Sequence, residues 1–131
     1  MTTTYPAQAT DDELIFESLF KKNQISLSEY QVAASRTMKN QSQREGLLEA
    51  ALGLMDEAGE VAGPVKKWAF HGHDLDKVAL AEELGDVLWY IAALATTLGL
   101  SLETVATDNI AKLQRRYPNG FSEIDSRERK E

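Results

Sequence analysis

The chain has 131 residues, 43% hydrophobic and 27% charged, enough for one domain that buries roughly two-thirds of its unfolded surface. With 14 Lys+Arg against 21 Asp+Glu the net charge is -7, which argues against a basic face for a nucleic-acid backbone. Cysteine is absent, so disulfides, thiolate nucleophiles and sulfur-ligated zinc are excluded as well.

Residues 1–10 are polar and aperiodic and include Pro6, so they read as a loose arm without the basic start and apolar stretch of a secretion signal. Asp11 and Asp12 are candidate N-caps for a short helix through Phe20, with Leu14, Ile15, Leu19 and Phe20 as its apolar positions. Ser26-Leu27-Ser28-Glu29 fits a capping box, in which Ser26 and Glu29 each bond the other's backbone N–H. The helix it opens carries Leu27, Tyr30, Ala34 and Met38 at 3-4-4 spacing. Asn40-Gln41-Ser42 then reads as a loop.

Two long helical patterns follow, at about 44–70 and about 76–98, each roughly 35–40 Å at 1.5 Å per residue. The first contains Gly46, Gly53, Gly59, Gly63 and Pro64, but its apolar arc is continuous, so a helix with a bend near Pro64 is expected. His71-Gly72-His73-Asp74 reads as a tight connection with Asp74 as the cap. In the second, Leu84, Leu88, Ile91, Ala95 and Leu98 form a heptad-like seam. Its apolar run from Val87 to Ala95 falls far short of the roughly 20 residues that cross a bilayer. Gly99 stops this helix, Ser101 caps a last one over 102–117, and Pro118-Asn119-Gly120 ends it. Residues 123–131 read as a loose tail. The pattern predicts a single all-α domain over 1–131, an antiparallel helical bundle with a four-helix-bundle-like core and a short N-terminal helix. A cytoplasmic protein with neither nucleic-acid nor membrane partners is expected.

The chemistry lies in an internal match. Glu57-Ala58-Gly59-Glu60-Val61 and Glu83-Leu84-Gly85-Asp86-Val87 share the pattern acid-x-Gly-acid-Val, 26 residues apart. On a helical wheel with the first acid of each pair at zero, the second acid falls near about −60° in both helices. Leu47, Leu54, Ala58, Val61 and Val65 in the first helix, and Leu80, Leu84, Val87, Ile91 and Leu98 in the second, fall between about +40° and +100°. Both acid pairs thus flank the core-facing stripe, and antiparallel packing would let four carboxylates converge at its rim. Four such groups cannot stay desolvated and ionised without cations, and oxygen ligands of this hardness suit Mg²⁺ or Mn²⁺. A di-iron bundle would supply Glu-x-x-His on two helices. Here His71 and His73 lie in the connection and neither stands three residues after a glutamate. One Glu-x-x-Glu pair alone is ordinary on a solvated helix face; two with the same flank and the same embedded glycine are less easily so.

These residues resemble the all-α nucleoside triphosphate pyrophosphohydrolases of MazG type, whose hallmark is Glu-x-x-Glu, about two dozen residues, then Glu-x-x-Asp. Glu57, Glu60, Glu83 and Asp86 match it, with 22 residues between Glu60 and Glu83. The likeness runs from about Ser28 to Ser122 and includes Val65-Lys66-Lys67, Gly85-Asp86-Val87-Leu88-Trp89-Tyr90, Asn109-Ile110-Ala111-Lys112-Leu113 and Arg116-Tyr117-Pro118. The chain departs at Asp56, where many members carry Glu. The resemblance implies Mg²⁺-dependent hydrolysis of a nucleoside triphosphate to monophosphate and pyrophosphate, with Mn²⁺ as a possible substitute. Glu57, Glu60, Glu83 and Asp86 would hold the ions, and Asp56 and Glu57 are both candidates for the base. By position Lys67, Trp68 and Tyr90 are candidate substrate contacts, although Tyr90 could equally be a half-buried packing residue and for Trp68 packing is the simpler reading. Asn109, Lys112 and Arg116 share a face of the last helix, read as a phosphate-binding wall or else a solvated charged stripe. Gln31 is a candidate for a base edge. Leu14, Ile15, Phe16 and Phe20 form an apolar edge that favours oligomerisation, and the resemblance implies a homodimer or homotetramer. Two alternatives remain: a phosphoribosyl-ATP pyrophosphohydrolase-like enzyme, and a non-catalytic helical interaction module.

Overall fold

The computed structural model describes residues 24–128. Five helices follow in order: α1 (Leu27–Ser35), α2 (Gln43–His71), α3 (Lys77–Thr97), α4 (Leu102–Arg116) and α5 (Glu123–Arg127). No strand occurs among the described residues, so the fold is the expected all-α one. The short helix expected through Phe20 lies outside the described residues.

Local chemistry sets the helix boundaries. Ser26 and Glu29 form the expected capping box, with Glu29 N–H donating to Ser26 Oγ at 3.1 Å and Ser26 N–H to Glu29 Oε2 at 2.8 Å. Helix α1 ends at Ser35, so Met38 lies beyond it rather than within it. The segment read as plain loop ends in a second capping box, Ser42 with Glu45, which opens α2. That helix runs unbroken through Pro64 to His71, because the ring removes one backbone bond from a ladder that long flanks support on both sides. Gly72 closes it in the left-handed region (φ 69°). Asp76, not Asp74, caps α3: its Oδ1 accepts from Val78 N–H at 3.0 Å and Ala79 N–H at 3.1 Å. The last turn of α3 closes at Gly99 (φ 68°), with Leu100 N–H donating to Ala95 O at 2.8 Å. From α3 to α4 the chain turns by 104°. The segment from 123 onward, expected as a loose tail, instead begins with α5, capped by Ser122 Oγ on Asp125 N–H.

The α2–α3 hairpin is the frame. A Cβ at Gly46 would lie 3.2 Å from Thr97 Cγ2, and one at Gly53 would lie 2.1 Å from Tyr90 Cε1. Each step forward along α2 is therefore matched by an equal step back along α3, an antiparallel register set by small residues. The deepest positions are likewise small: Ala50, Ala92, Ala93 and Ala95 are buried. This corrects the heptad-like seam. Ala95 is buried, but Leu84, Ile91 and Leu98 are exposed, because close backbone approach turns the alanine face inward and leaves the branched side chains outside.

Helix α1 packs on the proximal half of α3, where Ala34, Ala92 and Leu102 form a buried cluster with Tyr30 and Trp89 against it. Gln31 locks the corner. Its Nε2 donates to Thr96 Oγ1 at 3.1 Å and Leu100 O at 2.8 Å, and its Oε1 accepts from Leu102 N–H at 2.7 Å. Gln31 was expected to face a base edge; in this structure its amide is taken up by the α3–α4 turn. Ser28 Oγ also donates to Glu103 Oε2, fixing the start of α4 to α1.

Candidate metal centre

The register that sets Gly53 against Tyr90 brings Glu57 across from Asp86 and Glu60 level with Glu83. One carboxylate oxygen from each of Glu57, Glu83 and Asp86 lies within 4.8 Å of the others. Glu57 and Glu83 are half-buried and Asp86 is exposed, so the group sits at the rim of the hairpin contact and opens to solvent. Among the described residues no lysine or arginine forms an ion pair with any of the three. Partial burial raises the pKa of Glu57, and the negative charges of Asp86, Glu83, Asp56 and Glu60 push it in the same direction. The described residues thus gather negative charge here without pairing a lysine or arginine to it.

Glu60 stands outside the trio of converging oxygens and is exposed, although its charge reaches Glu57. Lys67 and Trp68 are ten and eleven residues beyond Glu57 on α2, roughly 15 Å further along the axis. Both are exposed, Trp68 to 52%. Tyr90 stands one turn from Asp86, with its ring against Gly53 and edge-on to Trp89, centroids 4.9 Å apart. Asn109, Lys112 and Arg116 follow one another along α4, and none belongs to the converging trio; Asn109 and Lys112 line a groove with Asp108. His71 closes α2 and His73 lies in the connection, both exposed.

Sequence reasoning missed Tyr30, assigned only as an apolar position. The ring packs on the buried cluster, while its phenol is pushed up in pKa first by burial and then by the charge of Asp86. The signal was there: a tyrosine at an apolar position has a polar tip that needs a destination.

Carboxylate oxygens converging at mid-length on a helical hairpin form an acidic cluster that could hold a metal ion, set in an all-α bundle. Residues 45–121 match the family model of the MazG nucleotide pyrophosphohydrolase domain, which spans α2, α3 and α4, and the chain belongs to that family. It is similar to the gene 37 protein of Mycobacterium phage L5, at 42% identity over 103 residues, covering 70% of this chain and 88% of that protein. It is also similar to the uncharacterized protein YvdC of Bacillus subtilis (strain 168), at 39% identity over 74 residues, covering 49% of this chain and 69% of that protein. No solved structure gives a significant match.

Proposed function

We propose that this protein is a Mg²⁺-dependent nucleoside triphosphate pyrophosphohydrolase that yields the monophosphate and pyrophosphate. The observation that carries the reading is the trio Glu57, Glu83 and Asp86, with oxygens within 4.8 Å of one another and no cationic side chain paired to them among the described residues. An all-oxygen carboxylate set fits a hard divalent cation and suits a thiophilic one poorly. Glu57, Glu83 and Asp86 would hold the ion, with Glu60, level with Glu83, completing the set. A bound divalent ion supplies the positive charge that lets a polyanionic triphosphate approach these acids and that offsets charge developing on its phosphate oxygens. Glu57 or Asp56 would accept the proton of the attacking water.

The active form in this reading is a homodimer or homotetramer. Leu52 is 70% and Met55 73% exposed on α2, and Phe70 beyond the trio is 81% exposed. A second chain laid on this face would bury those side chains and would bring cations, Lys112 and Arg116 among them, toward the acids.

The test is product analysis by phosphorus NMR on a panel of triphosphates with Mg²⁺. Pyrophosphate and monophosphate are expected, and chelation by EDTA should stop their release. Orthophosphate as the product, or turnover indifferent to EDTA, overturns the assignment.

A further inference from the structure

Helix α4 carries an apolar arc that outruns its cover. Leu102, Ala106, Ile110 and Leu113 stand at spacings 4, 4 and 3, with Tyr117 four further on at the C-cap, so they share one side of the helix. Leu102, at the start of the arc, is buried with Ala34 and Ala92. Further along, Ile110 is 54% and Leu113 39% exposed among the described residues. The Tyr117 ring meets that of Phe121, centroids 5.6 Å apart, and Phe121 is itself 76% exposed, so the arc widens at its far end. On a wheel at about 100° per residue, Asn109, Arg116 and Lys112 border one side of this arc. The result is an apolar strip with a cationic margin.

The same chain holds a segment that matches the strip. Residues 11–20, outside the described residues, place Ile15 and Leu19, and Phe16 and Phe20, four apart, a spacing that puts them on one face of a helix. The charged residues of that segment are Asp11, Asp12, Glu13 and Glu17, all acids. Its length fits: ten helical residues span roughly 15 Å, and the arc from Ala106 to Tyr117 runs roughly 16 Å. Its attachment fits as well. Ser28 Oγ donates to Glu103 Oε2 in the first turn of α4, so the described chain begins, at Gln24, close to the start of that helix. Residues 21–23 can bridge roughly 10 Å, about the distance along α4 from Glu103 to Ile110.

Charge decides between this strip and the exposed one on α2, where Leu48, Leu52 and Met55 follow one another. At about 100° per residue that second face is bordered by Glu45, Glu49 and Asp56 against a single Arg44, so an acidic segment would be repelled there. We infer that residues 11–20 of the same chain lie antiparallel along the α4 arc, with Ile15, Phe16, Leu19 and Phe20 against Ile110, Leu113 and Tyr117 and the acids toward Lys112 and Arg116. The direction follows from the attachment, since residue 20 must stay near the start of α4 for residues 21–23 to reach Gln24. The contact is independent of the triphosphate reading: it holds whether or not the protein hydrolyses a nucleotide.

Because the chain has no cysteine, introduced pairs test this directly. Full-length Phe16→Cys/Leu113→Cys and Phe16→Cys/Leu52→Cys are oxidised in dilute solution, and the products are followed by thiol count and non-reducing electrophoresis. An intrachain disulfide should form at least about tenfold faster in the Leu113 pair, because docking holds its two thiols at high effective concentration. Equal rates, a faster Leu52 pair, or disulfide-linked dimers as the main product overturn the inference, the last because a second copy would then supply the segment. A second arm leaves α4 itself unaltered. Amide hydrogen exchange in the second half of α4 should be at least about tenfold faster in Phe16→Asp/Phe20→Asp than in wild type, while the α2–α3 amides keep their rates. Unchanged exchange in α4, or equal acceleration throughout the bundle, overturns the assignment.

Discussion

At its proximal end the α2–α3 hairpin is closed. Gly46 meets Thr97, Gly53 meets Tyr90, and Ala92, Ala34 and Leu102 are buried beneath α1. At its distal end the same two helices are open among the described residues: Gly59, Gly63 and Gly85 have nothing within 4 Å of where a Cβ would lie, and Phe70 is 81% exposed. The acids sit where the closed half gives way to the open one, close enough for their charges to push Glu57 up in pKa and open to solvent at Asp86. The contrast separates two jobs. Burial and close backbone approach are concentrated where Gly46, Gly53, Ala92 and Ala34 lie, whereas the acids occupy the more open stretch.

Five substitutions and one change of condition would break or sharpen that separation. The largest effect falls on Asp86→Asn, which should reduce hydrolysis by roughly three orders of magnitude or more by removing a ligand oxygen, while metal-free stability stays equal or rises as like-charge repulsion is relieved. The pH dependence of metal-free stability follows the same logic. Because the folded pKa of Glu57 is raised, its contribution favours the native state at low pH and is lost as pH rises from the ordinary glutamate range through the raised value. Urea melts across that window should show the decline in wild type and a weaker one in Asp86→Asn.

Lys112→Ala and Arg116→Ala should each lower kcat/KM by about 10- to 100-fold, mostly through KM, if these cations hold substrate phosphate in the assembled enzyme. Wild-type kinetics in both would return α4 to a solvated stripe. On the closed side, Gly53→Ala forces its Cβ into the Tyr90 ring and should cost about 1–3 kcal/mol in denaturant melts. The smallest effect is on the open side. Gly59→Ala has room and should gain up to about 1 kcal/mol from helix propensity; a loss at that position would show that a second copy packs there.

Much of this was legible because helices announce themselves locally. Ser26 with Glu29, Gly99, Ser101 and the two long apolar arcs gave the element order, and the repeated acid-x-Gly-acid-Val pattern gave the site, because i, i+3 spacing fixes a shared face whatever the partner does. What escaped depended on the partner. Which residues of α3 would be buried could not be read from its own apolar pattern, since Ala92 and Ala93 are chosen by glycines and alanines on α2 and by Ala34 on α1. Gln31 reads as a free polar group until the α3–α4 turn is seen beside it. The Lys39–Glu49–Gln41 array went unnoticed because it joins a connection to a helix about ten residues away, with no periodic signature.

The central claim is that Asp86 and its neighbours form a divalent-cation site, and thermal melts of wild type and Asp86→Asn with and without Mg²⁺ test it most directly. Wild type should gain about 2.7 kcal/mol at a hundredfold excess of Mg²⁺ over Kd, and the variant much less. Equal shifts in the two proteins would contradict Asp86 as a ligand, and with it the metal centre as drawn.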